Sequence, residues 1–200
     1  PTIIINHPRS GGAIGAYFSA AGYDPATQML NRPTYWDTQF TAVEFFNDSS
    51  FEDNRNGTVK DWFGLLASGR RVFAVGSSDS HHMMTSAPVG YPRTCLYAGT
   101  DDPAMVTNNM IRDTLARGQS TISGGIYVTA VAAGNTTPGG EVMGAGAMAA
   151  VRVTVQAPPW VRPERLEVIV DGMTTQMIPI PATGGPDMAN PSVRLRQDVM

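Results

Sequence analysis

Val72-Phe73-Ala74-Val75-Gly76-Ser77-Ser78-Asp79-Ser80-His81-His82 passes from an apolar, β-branched run into a cluster of side chains that ligate metals. A run of this length, bounded by Gly and Ser, predicts a buried strand. Strand side chains alternate between two faces, so Asp79 and His81 point the same way if the extended geometry persists. A carboxylate and an imidazole then stand together at the carboxyl end of a buried strand. That is where α/β sheets and barrels build their sites.

The histidines are concentrated. Two of the three are His81 and His82, and the third, His7, ends another apolar run, Thr2-Ile3-Ile4-Ile5-Asn6-His7-Pro8. Two strands finishing in His or Asp-x-His suggest ligands converging on one metal. A plainer reading makes Asp79 a cap and the histidines polar loop residues, because Asp and Ser favour caps and turns. Both motifs together, with no histidine elsewhere, favour the metal.

The chain of 200 residues can bury one good core or two small ones. Its formal net charge is −3 and Lys60 is its only lysine, so no basic nucleic-acid footprint is present. No apolar run has transmembrane length. A neutral or metal-bound small substrate suits this balance better than a polyanion. Cys95 is the single cysteine, which excludes an internal disulfide and leaves the compartment open. A soluble protein, exported in its full-length form, is one expectation.

Residues 1–123 show a strand–helix rhythm that predicts βα units and a largely parallel sheet or barrel. Strands are expected over 2–6, 41–47, 72–77 and 93–98. Helices are expected over 13–21, stopped by Gly22, over 24–33, over 58–68, stopped by Gly69, and from the Thr100-Asp101-Asp102-Pro103 start to Arg117-Gly118. Residues 124–200 lack helical periodicity. Short strand candidates there (126–133, 150–157, 166–170, 177–180 and 193–195) predict an antiparallel β-sandwich with Asp171-Gly172 as a hairpin turn. This second domain is expected to be incomplete at Met200.

Three motifs carry a family likeness. Ile3-Ile4-Ile5-Asn6-His7-Pro8, Val43-Glu44-Phe45-Phe46-Asn47 and Gly76-Ser77-Ser78-Asp79-Ser80-His81 resemble the later motifs of the polymerase and histidinol phosphatase (PHP) metallohydrolase superfamily. Val89-Gly90-Tyr91-Pro92-Arg93-Thr94 and Arg117-Gly118-Gln119-Ser120 continue like its carbaryl-esterase-like branch. The resemblance implies an α/β fold: the C-terminal portion of a distorted (β/α) PHP-type barrel, followed by the β domain. It implies His7, Asp79 and His81 as ligands for one to three divalent ions such as Zn, Mn or Fe, with metal-bound hydroxide attacking a phosphoester or a carboxyl or carbamate ester. The family's opening His-x-His motif has no counterpart here, so the implied centre is only partly encoded. A non-catalytic binding or structural fragment is therefore the alternative. Exposed strand edges in a partial barrel would call for cover, and a homo-oligomer is one way to supply it.

Other candidates surround this set. Glu44 and Asn47 end a strand beside the expected site and could orient a ligand or bind water, and His82 is expected to pack on the opposite side from His81. Arg9 and Arg93 are weaker candidates for holding an anionic substrate group, with surface solvation as the competing reading. Ser77, Ser78 and Ser80 lack a G-x-S-x-G elbow and are discounted as nucleophiles. A two-His, one-carboxylate iron oxygenase ranks lower, since those sites usually read His-x-Asp then His within one β-sandwich.

Overall fold

The computed structural model describes residues 2–9, 16–47, 51–84, 87–143, 148–183 and 185–200. In chain order the first half contains β1 (Ile4–Ile5), α1 (Tyr17–Ala21), β2 (Tyr23–Asp24), β3 (Met29–Leu30), β4 (Ala42–Asn47), α2 (Phe51–Asn56), α3 (Thr58–Ala67) and β5 (Phe73–Ser77). The apolar runs in β1, β4 and β5 form a parallel sheet in the order β1-β4-β5. Ile5 lies opposite Val43, and Val43 opposite Ala74. Such strands need apolar cover, which comes from Phe18, Tyr23, Phe40, Leu65 and Val72 packed with Val43. Each fully buried side chain of this kind contributes about 1.5–3 kcal/mol. Trp36 stacks on Tyr17 and Tyr23 at 5.4 and 5.2 Å between centroids and extends the cluster.

Gly22 ends α1 in the left-handed region, with φ 63°, and its N–H reaches the carbonyls of Phe18 and Ser19. The helix expected over 24–33 is corrected to the β2–β3 hairpin. The Asp24 carboxylate accepts from the Ala26 N–H at 2.9 Å and the Thr27 hydroxyl at 2.8 Å, fixing a turn where helical spacing alone suggested continuation. Helix α2 was not anticipated, and residues 13–15 of the first expected helix lie outside the described residues.

Next come β6 (Arg93–Leu96), α4 (Asn108–Ala116) and β7 (Ser120–Ser123). The long helix expected from Thr100 is corrected too. Asp102 caps only a 3₁₀ turn over Pro103–Met105, Val106 is extended, and α4 starts afresh behind the Thr107 hydroxyl, which accepts from the Met110 N–H. β6 and β7 pair antiparallel. The Thr94 hydroxyl ties them to β5, accepting from the Gly76 N–H at 2.9 Å and donating to the Gly76 carbonyl at 2.8 Å.

The second half contains β8 (Tyr127–Ala132), β9 (Val151–Gln156), β10 (Arg165–Val170), β11 (Met173–Pro179) and β12 (Val193–Val199). β12-β9-β8 form one antiparallel sheet and β10-β11 a second. Val153, Val155 and Val199 from the first share an apolar core with Leu166, Val168, Ile178 and Ile180 from the second side. Asp171 and Gly172 turn the β10–β11 hairpin at φ 51° and 77°, the pair of positive angles that a two-residue primed turn requires.

The molecule is thus mixed α/β with several small antiparallel sheets. Among the described residues the parallel strands form an open three-stranded sheet, with no closed barrel. No described helix is long and apolar enough to cross a membrane.

Candidate metal centre

Parallel strands deliver their carboxyl ends to one edge, so the residues after β1 and β5 meet above β4. His7 follows β1 and takes φ 47°; its N–H donates to Glu44 Oε2 at 2.8 Å. The same oxygen lies 3.5 Å from His7 Nδ1. His7 Nε2 faces Asp79 Oδ2 at 3.7 Å, and Asp79 Oδ1 meets His81 Nε2 at 3.0 Å. Beneath them the Ser77 hydroxyl donates to Glu44 Oε1. The result is an alternating row of carboxylates and imidazoles: Glu44, His7, Asp79, His81.

The two ends of this row differ most in burial. The Glu44 side chain is 2% exposed, while His7 and Asp79 are 41% and 31% exposed and His81 is 70% exposed. A buried carboxylate is costly unless its oxygens are bonded. Both Glu44 oxygens are, one by Ser77 and one by the His7 backbone. β4 slips register between Glu44 and Phe46, a bulge directly beside the site.

Asp79 and His81 are brought together by a route other than strand alternation. β5 ends at Ser77, and Asp79 turns into the left-handed region at φ 47°. That turn swings its carboxylate onto the His81 ring. Two of the three expected ligands, His7 and Asp79, therefore occupy backbone angles that non-glycine residues avoid. Such conformations cost on the order of 1 kcal/mol each and cluster at functional sites.

The donor types suit a divalent metal. In tetrahedral coordination two donors about 2.0–2.2 Å from one ion stand about 3.3–3.6 Å apart, and the contacts at 3.0 and 3.7 Å bracket that range. Glu44 faces Nδ1 of His7 and leaves Nε2 toward Asp79, the carboxylate–histidine arrangement that orients ligand imidazoles. The donors are paired in a row, however, and among the described residues no three or more His, Cys, Asp and Glu side chains gather around one point.

His82 is exposed, and Asn47 is half-buried at the end of β4, opposite Ser77. Arg9 is bonded within the fold. Its Nε and Nη2 donate to Asp61 at 2.8 and 2.5 Å, and Nη2 also donates to the Tyr23 carbonyl at 2.7 Å. Asp61 is buried, and this bond raises the Arg9 pKa further. Arg93 is exposed at the start of β6, with its carbonyl near Gly76.

Two pairings lie outside the reach of sequence reasoning. Ser77 is the partner of Glu44, and Asp61 is the partner of Arg9. Asp61 did leave a signal: it stands four residues before Leu65, on the apolar face of α3.

Comparison with family models, with curated proteins and with solved structures returns no match.

Proposed function

We propose that this chain carries part of a PHP-type metallohydrolase centre acting on a phosphoester or a carboxyl or carbamate ester. The observation that carries the reading is the buried Glu44 carboxylate set against His7 Nδ1, with Nε2 directed at Asp79. A carboxylate set behind a histidine helps to orient the ring as a ligand. His7, Asp79 and His81 are the donors in this reading, and Glu44 fixes the first of them. A bound Zn, Mn or Fe ion would supply Lewis acidity toward a phosphoryl or carbonyl oxygen and acidify water. Arg93, exposed beside β5, is the candidate for an anionic substrate group.

Metal content and hydrolysis of p-nitrophenyl phosphate and p-nitrophenyl acetate, compared between the parent and Asp79→Ala, test this reading. Loss of both metal and turnover in the variant supports it, and equal values in the two proteins contradict it.

A second reading, a non-catalytic binding or structural fragment, draws support from the pairing of the donors with one another instead of around a point. It expects no metal-dependent turnover and a stabilising role for the row.

A further inference from the structure

A cleft of about 790 Å³ lies where α2 and α3 face β8, β9 and β10. Its volume falls within the range of about 300–1,000 Å³ typical of small-molecule sites. None of its lining residues belongs to the row from Glu44 to His81.

The cleft has an aromatic wall. Phe46 packs edge-on against Phe51 at 5.4 Å and against Tyr91 at 6.2 Å between centroids. Gly124 makes room for this wall, since a Cβ there would stand 2.8 Å from the Phe46 ring and 3.3 Å from Tyr91. Ile126, Val128 and Leu166 also line it and remain only partly buried against the β core.

Its charge has the opposite sign to that of the chain. Four cations, Arg55, Lys60, Arg162 and Arg165, line it against two carboxylates, Glu164 and Glu167, whereas the whole chain is at −3. Arg55 and Arg165 are both committed to Glu167, at 2.6 Å each. Lys60 and Arg162 are exposed and carry no ion pair to a described residue. An apolar cleft with uncompensated cations attracts an anion. The predominance of apolar lining suits a monoanion better than a strongly hydrated dianion.

We infer that this cleft binds an amphipathic carboxylate, its apolar body against Phe46, Phe51 and Tyr91 and its anionic group at Lys60 and Arg162. The inference does not depend on the metallohydrolase reading.

Fluorescence titration of the full chain with 1-pyrenebutyrate, and with its uncharged counterpart 1-pyrenebutanol, tests it. The expected result is saturable one-to-one binding with about a tenfold preference for the carboxylate, the size of one charge-assisted contact. Lys60→Gln/Arg162→Gln should erase the preference and leave pyrenebutanol binding unchanged. Both substitutions are on the surface, so circular dichroism should show the parent fold. Val128→Phe should weaken both ligands by filling the cleft. Equal affinity for the two probes, a preference that survives in the double variant, or no saturable binding would each overturn the inference.

Discussion

The Glu44 carboxylate lies directly beneath His7, accepting the His7 N–H at 2.8 Å while standing 3.5 Å from Nδ1. One oxygen thus fixes both the backbone turn after β1 and the facing of the ring. The other oxygen is held by Ser77 at the end of β5. The central strand thereby clamps the two segments that carry the proposed ligands.

Glu44→Gln keeps the shape and removes the charge. The amide can accept from Ser77 or from His7 N–H with its one oxygen, leaving the other donor facing an NH₂ group. We expect metal affinity to fall about 10–100-fold, as for other carboxylates behind ligand histidines. Calorimetric titration with Zn²⁺ reads this directly. Ser77→Ala should show a smaller loss in the same direction.

The left-handed turn at Asp79 separates strain from chemistry. Asp79→Gly and Asp79→Ala both remove the carboxylate, but glycine accepts φ 47° without cost. The glycine variant should be more stable than the alanine variant by about 1 kcal/mol, measured by urea denaturation. Equal stabilities would show that the turn relaxes when the carboxylate is removed.

Arg9 distinguishes a structural role from substrate binding. Arg9→Ala leaves Asp61, whose side chain is 2% exposed, without its cation. Removing one member of a buried pair costs about 3 kcal/mol, or a fall in Tm of about 6–12 °C for a chain of this size. A variant with parent-like Tm would reopen Arg9 as a free substrate contact.

Glu167 sets an acid limit on the contact between α2 and β10. Hydrogen bonds from Arg55 and then Arg165 lower its pKa from the ordinary 4.5 to about 2. A lowered carboxylate pKa stabilises the folded state above the ordinary value, and that stability is lost as pH falls from about 4.5 toward 2. Thermal unfolding across this window should show the parent losing more stability than Arg55→Met. Half-exposed Arg55 limits the difference to on the order of 1 kcal/mol.

Much of the architecture was readable because local signals agreed with tertiary demand. The apolar runs before His7, around Val43 and before Gly76 became adjacent parallel strands. Asp171-Gly172 announced its own turn. The β2–β3 hairpin was missed because Asp24 bonds its neighbours and forms a turn within a segment of helical composition. In the site, the composition of the row was legible but its geometry was not. A left-handed aspartate has no local signature, so strand alternation put Asp79 beside His81 for the wrong reason. The Arg9–Asp61 pair spans 52 residues and depends on the packing of α3 against the sheet. Nothing adjacent to Arg9 in sequence encodes it.

Elemental analysis of the purified chain, reconstituted separately with Zn²⁺, Mn²⁺ and Fe²⁺, tests the central claim most directly, with Asp79→Ala/His81→Ala in parallel and His82→Ala as a control. The account predicts about one ion per chain or more in the parent and in His82→Ala, and loss of that ion in the double variant. No metal in the parent, or equal metal in the parent and the double variant, would contradict it.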